Sequence, residues 1–222
     1  MNSALIRLLQ LSSPALPVGA YTYSQGLEWA VETAAVDDEV AVMEWITDCL
    51  EFGGAKFEAV YLAHMMRAWE ADDMAALATL DAEFLASRET SELRAETLQM
   101  GHSLARLLVD CADFPTRQLE AFPQPSFPLA WSCAAAAWSI PLADALAGYL
   151  WAWAENQVMA AVKTVPLGQT AGQRLLLGLG RRLQSLADEA AQMPLDAACN
   201  YLPAFAIACS RHETQYTRLF RS

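Results

Sequence analysis

Apolar side chains recur along most of the chain at intervals of three and four residues, which is the spacing of one helix face. Alternating runs typical of strands are hard to find, and residues that favour helices dominate the sequence. The pattern predicts an all-α protein, one domain of about nine or ten helices over residues 1–222. The clearest apolar stripes are Val40, Met43, Ile46 and Leu50, and Leu176, Leu179, Leu183 and Leu186.

Capping and breaking residues predict where some helices begin and end. Thr22 and Gln25 have the spacing of a capping box, which predicts a helix over residues 22–32. Gly53 and Gly54 are expected to end the helix that follows, because glycine is common just past helix C-termini.

Proline-rich residues 113–128 are the one candidate linker, and we interpret them as a loop within a single domain because neither flank shows a repeat. Pro194 is expected to open the last main helix. The sequence then ends in a polar stretch, about residues 211–222. We expect a flexible N-terminus and a C-terminal tail that orders on partner binding.

Composition narrows the classes of partner. The chain carries 14 basic and 26 acidic side chains, a formal net charge of −12, and therefore lacks the basic surface that nucleic-acid binding needs. Apolar residues make up 55% and charged ones only 18%, so apolar surface should remain for protein partners after one core is filled. Residues 127–154 are the most apolar segment but contain Pro128, Pro141 and Asp144, which predicts buried helices and no membrane span.

Catalytic and metal-binding patterns are not found. The five cysteines are scattered without a C-x-x-C pair, which is typical of reduced thiols in the cytoplasm. The three histidines form no ligand pair at helical spacing, and no nucleophile elbow or P-loop is present. We therefore expect no enzyme activity, no cofactor and no resident metal. The nearest group of soft ligands is Cys199, Cys209 and His212.

Five segments together resemble the UreF family of urease accessory proteins. The resemblance runs from about Leu8 to Ser222, and its segments share no ordinary helical repeat. The segments are residues 14–28 (PALPVGAYTYSQGLE), 87–97 (SRETSELRAET), 155–157 (ENQ), 163–173 (KTVPLGQTAGQ) and 211–220 (RHETQYTRLF).

This resemblance implies an all-α, homodimeric, noncatalytic scaffold in the cytoplasm. Proteins of the family bind UreD, also called UreH, and the pair recruits the GTPase UreG. The assembly docks on apo-urease and regulates GTP-dependent nickel insertion. Coupling between the scaffold and a nucleotide state of the GTPase would be a reciprocal linkage effect.

The resemblance also suggests two partner-binding surfaces. We assign to the GTPase-facing surface the residues Tyr21, Tyr23, Ser24, Glu28, Lys163 and Gln169. We assign to the UreD-facing surface the basic and aromatic tail residues Arg211, Tyr216, Arg218, Phe220 and Arg221.

Two other interpretations stay open at this point. The chain could be a catalytic GTPase-activating protein that supplies Arg88 or Arg94 to UreG as an arginine finger. It could instead carry nickel directly on Cys199, Cys209 and His212.

Overall fold

Helices account for the regular structure, as the apolar periodicity predicts. The structure, a computed structural model, describes residues 3–111 and 116–222. These residues form ten α-helices and no strand, so the all-α prediction is confirmed. The helices are α1 (Ser3–Leu11), α2 (Leu27–Glu32), α3 (Glu39–Asp48), α4 (Ala59–Glu70), α5 (Met74–Ala86), α6 (Ser91–Asp110), α7 (Phe127–Ala137), α8 (Leu142–Thr164), α9 (Gln169–Gln192) and α10 (Pro203–His212).

Short polar side chains start four of these helices. The side chains of Asp38, Asp73, Thr90 and Ser126 each accept a hydrogen bond from a backbone N–H in the first turn of α3, α5, α6 and α7, respectively. Such a bond satisfies one of the amide groups that a helix N-terminus leaves unpaired, and typically contributes about 1 kcal/mol.

Helices α3 and α4 are joined without a break by a π-helical segment, Cys49–Glu58. The predicted stop at Gly53 and Gly54 is therefore wrong. A Cβ at Gly54 would meet Leu150 at 3.1 Å, and one at Gly53 would meet Leu202 at 2.9 Å. These glycines allow close packing of α8 and of the segment before α10, and that packing offsets their low helix propensity.

Two other predicted helix starts are wrong. Helix α2 begins at Leu27, since Thr22 Oγ1 donates to the Gly19 carbonyl at 2.8 Å and Gln25 is bonded to Glu96, so no capping box forms. Pro194 precedes only a short 3₁₀ turn, Leu195–Ala197, and the last helix starts at Pro203.

The core is centred on α7, which packs between α4 and α6, while α8 packs along α9. Residues 128–135 are all buried. The Trp131 ring contacts those of Phe127 and Tyr149 at centroid separations of 5.8 and 5.3 Å, which ties α7 to α8. The predicted loop over residues 113–128 lies partly outside the described residues, and its described part contains a 3₁₀ turn, Thr116–Ala121. No helix of the described chain has the length and hydropathy that crossing a bilayer requires.

Gly101 is expected to be intolerant of a side chain. A Cβ there would lie 2.1 Å from the Pro125 carbonyl oxygen, where α6 meets the backbone leading into α7. Gly101→Ala should lower the free energy of unfolding by about 1–3 kcal/mol, measured by urea denaturation. Gly180→Ala is the matched control in α9, because its Cβ meets only Trp151 at 3.6 Å. It should be neutral or stabilise by up to about 1 kcal/mol, and equal effects of the two changes would contradict the assignment.

Candidate functional site

The C-terminal tail, residues 211–222, lies back against α2 and α6. It starts in the last turn of α10 and ends beside the loop segment, residues 14–28. The backbone oxygen of Ser222 accepts hydrogen bonds from the N–H groups of Ser24 at 2.7 Å and Gln25 at 3.0 Å, and from the Ser24 hydroxyl at 2.6 Å. The tail and the loop segment, which are almost two hundred residues apart in sequence, therefore form one unit.

Glu28 holds the middle of this contact. It lies in the first turn of α2, where the helix dipole favours a carboxylate, and only 7% of the residue is exposed. One carboxylate oxygen accepts the Leu219 N–H at 2.7 Å and the other accepts the Phe220 N–H at 3.0 Å. His212 Nε2 lies 3.4 Å from the second oxygen. Glu28 thus satisfies two backbone donors that the tail could not pair within itself.

The start of α6 holds the beginning of the tail. Glu92 lies between His212 Nδ1 at 2.8 Å and an Arg218 guanidinium nitrogen at 2.5 Å. The Glu213 carboxylate accepts the N–H of Ser91 at 2.8 Å and that of Glu92 at 3.2 Å, so it occupies the helix N-terminus. Hydrogen bonding from Ser91 lowers the pKa of Glu213.

Glu96, one turn further along α6, lies beneath the end of the tail. Its carboxyl group accepts hydrogen bonds from the Gln25 amide and from the Ser222 hydroxyl, both at 2.8 Å. Trp153 on α8 donates to the same Gln25 side chain at 2.7 Å. Burial raises the pKa of Glu96 to about 7. We refer to Ser24, Gln25, Glu28, Glu92 and Glu96 as the tail site.

The residues assigned to the GTPase-facing surface divide into exposed and buried groups. Tyr21 is 66% exposed, and Lys163 and Gln169 are also exposed. Tyr21 and Lys163 line one cavity of about 240 Å³ beneath the loop segment, and Gln169 does not line it. The other three are buried and can shape this surface but offer little area to a partner: Tyr23, Ser24 and Glu28.

The residues assigned to the UreD-facing surface divide in the same way. Tyr216 is fully exposed, whereas Phe220 is only 7% exposed and lies 5.6 Å from the Lys163 ammonium group. Leu219, which the sequence did not single out, is 74% exposed and provides the apolar area that was expected from Phe220. The remaining members, all exposed, are Arg211, Arg218 and Arg221.

Sequence reasoning also missed the carboxylates on α6. Glu92 and Glu96 are four residues apart and fall on the same helix face as buried Leu93 and Met100. An acidic pair on an otherwise apolar face was a signal that these carboxylates needed partners from elsewhere in the chain.

The two arginines of the arginine-finger interpretation have different environments. The Arg88 side chain is only 7% exposed and pairs with Glu58 at 2.7 Å. Its guanidinium lies 4.4 Å from the centre of the Phe84 ring. Arg94 is exposed and donates to the Leu85 carbonyl at 2.6 Å. Arg88 therefore has the environment of a core residue, whereas Arg94 lies on the surface.

The residues of the nickel-carrier interpretation are also separated by environment. Cys199 is exposed, while Cys209 and His212 are buried. Burial raises the pKa of the Cys209 thiol, which disfavours the thiolate that a metal would need. Among the described residues, no group of three or more His, Cys, Asp or Glu is arranged to hold a metal ion.

Comparisons with known proteins identify the family. The UreF family model matches residues 36–180. A urease accessory protein UreF from Azoarcus sp. (strain BH72) is 60% identical, over 98% of this chain and 95% of its own length. Those from Dechloromonas aromatica (strain RCB) and Methylobacillus flagellatus are 55% and 47% identical, and each alignment covers at least 97% of both chains.

An all-α protein with these relatives falls in the class of urease accessory proteins. Within that class, the chain belongs to the UreF family.

Proposed function

We propose that the chain is a noncatalytic, homodimeric scaffold of urease maturation in the cytoplasm. It binds UreD, also called UreH, recruits the GTPase UreG, and regulates GTP-dependent nickel insertion into apo-urease. The observation that carries the proposal is the tail site, where the tail and the loop segment are hydrogen-bonded into one unit. Such a contact connects the two surfaces on which a scaffold would hold its two partners.

The tail supplies the UreD-facing surface. Held by Glu28 and Ser24, it presents Tyr216 and Leu219 outward, and large exposed side chains of this kind are typical anchors of protein interfaces. A tail held in this conformation loses less entropy on binding than a free one, so a partner that fits it would select and stabilise it.

The loop segment and the end of α8 supply the GTPase-facing surface. Lys163 is exposed beside Tyr21 and lies over the ring of Phe220 in the tail. A partner that binds Lys163 therefore contacts a side chain that packs against Phe220 of the tail. By linkage, tail binding to one partner and GTPase recruitment should strengthen each other.

The UreD-facing assignment is tested by Tyr216→Ala, with Tyr201→Ala as the control. Both tyrosines are exposed, but Tyr201 lies outside the tail. Tyr216→Ala should weaken UreD binding about tenfold or more, because losing an interface anchor typically costs over 1 kcal/mol, whereas Tyr201→Ala should leave binding unchanged. Size exclusion with light scattering detects the complex and a titration gives its affinity. Equal affinities of the two variants would remove the tail from this interface.

The GTPase-facing assignment is tested by Lys163→Glu. Lys56 is the chain's other lysine, lies over the Phe52 ring and does not line the cavity beneath the loop segment, so it provides the same substitution as a control. With UreD and nucleotide present, Lys163→Glu should reduce co-elution of UreG about tenfold, since charge reversal at an interface weakens association, and Lys56→Glu should not. Undiminished recruitment by Lys163→Glu would contradict the assignment.

A further inference from the structure

Glu96 is a buried carboxyl group that the tail covers. Only 7% of the residue is exposed, and Ser222, which lies on it, is 2% exposed. Its two hydrogen-bond donors, the Gln25 amide and the Ser222 hydroxyl, are both neutral. Glu96 forms no ion pair with any of the described residues. The tail therefore covers one side of a carboxyl group that forms no such ion pair and whose other side lines the cavity beneath the loop segment.

Burial of this kind favours the protonated form. An ionised carboxylate loses its hydration when it is covered, and two neutral hydrogen bonds do not compensate for that loss. This desolvation is the main reason that the pKa of Glu96 is raised to about 7. Release of the tail would uncover Glu96 and return its pKa toward the ordinary value of a glutamate.

We propose that the tail is a proton-linked latch: it docks with a proton on Glu96, and loss of that proton favours its release. The inference deepens the proposed function. It rests on that function only in assigning partner binding to the docked tail. The latch itself is a property of the isolated chain. It makes the availability of the UreD-facing surface depend on pH near neutrality.

Other ionisable groups surround Glu96 without replacing it as the proton carrier. Glu58 and Arg88 act on it in opposite directions and are paired with each other, so their effects largely cancel. Glu92, on the same helix, is held by His212 and Arg218. Glu96 also acts on three groups whose pKa burial raises, so that these three are neutral near pH 7: Tyr23, Tyr149 and Cys209.

The sign of the pH dependence follows from the raised pKa. Between the ordinary value and about 7, the docked state binds a proton that the released state lacks, so docking weakens as pH rises through this range. The ratio of docked to released tail should fall roughly tenfold between pH 6 and pH 8. Above that range, the full cost of burying the charge is present and the ratio becomes level.

Amide hydrogen exchange on the full chain measures this ratio directly. The N–H groups of Leu219 and Phe220 are bonded to Glu28 only while the tail is docked. Their protection factors, corrected for the intrinsic pH dependence of exchange, report the free energy of release. We expect protection to fall about tenfold from pH 6 to pH 8 in the wild-type chain.

Two variants separate the effect of Glu96 from that of His212. Glu96→Gln keeps the shape, can still accept from the Gln25 amide and can donate to the Ser222 hydroxyl, but it cannot ionise, so its protection should be independent of pH between 6 and 8. His212→Gln removes the buried histidine beside Glu28 and should lower protection overall but keep the pH slope. A slope that persists in Glu96→Gln, or disappears in His212→Gln, would overturn the proposal.

A second measurement covers the case in which Glu96→Gln fails to dock. The side-chain carboxyl ¹³C signal of Glu96 should titrate near pH 7 in the wild-type chain. In Glu28→Gln, which favours release without changing Glu96, its midpoint should move lower as the fraction of tail that amide exchange shows to be released increases, and by more than one unit where release is complete, because linkage is reciprocal. A midpoint that does not move on tail release would overturn the latch. Because no partner protein is present, neither result depends on the proposed scaffold function.

Discussion

Replacing Glu28 by glutamine is expected to release the tail. The glutamate accepts the N–H groups of both Leu219 and Phe220, one on each oxygen, and glutamine has only one acceptor oxygen. One buried amide would then lack a partner, at a cost of about 1–3 kcal/mol. Protection of these two amides against exchange should therefore fall roughly ten- to a hundredfold, while helical content by circular dichroism stays nearly unchanged.

Glu32→Gln is the matched control for this change. Glu32 lies one turn further along α2 and makes a surface hydrogen bond to Gln215, so its loss should alter tail protection less than threefold. If the scaffold proposal holds, Glu28→Gln should weaken binding of UreD and recruitment of UreG together, because the two surfaces share this residue. A variant that keeps full tail protection would show that Glu28 does not hold the tail.

The helices could be predicted from sequence because helix formation depends on local periodicity. The stripe of Leu176, Leu179, Leu183 and Leu186 lies within α9, and all four of these leucines are buried. The predicted stop at Gly53 and Gly54 failed for a nonlocal reason, since those glycines are required by the approach of α8 and Leu202. Helix propensity contains no information about a neighbour a hundred residues away.

The tail shows the same limit at the candidate site. Leu219 and Phe220 lie in a bend of the tail, where one of the two side chains faces inward and the other faces outward. The resemblance marked the segment as important but did not give its register, and the structure buries Phe220 and exposes Leu219. What sets the register is Glu28, which holds two consecutive backbone N–H groups and lies nearly two hundred residues earlier.

Arg88→Leu is expected to destabilise the whole chain. The Arg88 guanidinium lies against both the Phe57 and Phe84 rings and pairs with Glu58, whose other oxygen accepts the Tyr149 hydroxyl at 2.7 Å. Removing the cation leaves a largely buried carboxylate unpaired, which typically costs about 3–5 kcal/mol. Urea denaturation followed by circular dichroism should show a free energy of unfolding lower by about 3 kcal/mol, whereas exposed Arg94→Ala should change it by less than about 1 kcal/mol.

The double variant Arg88→Leu/Glu58→Gln distinguishes this structural role from an arginine finger. Glutamine removes the unpaired charge and still accepts the Tyr149 hydroxyl, so the double variant should recover most of the lost stability. A catalytic finger predicts the reverse pattern: Arg88→Leu would be as stable as wild type, and stimulated GTP hydrolysis would be lost in both variants. We expect instead that the stable double variant, although it lacks Arg88, supports UreG recruitment and hydrolysis as the wild-type chain does. Because Arg88 is buried beneath Glu58, it could reach a bound nucleotide only by leaving that pair, and the cost of leaving would oppose any catalytic gain.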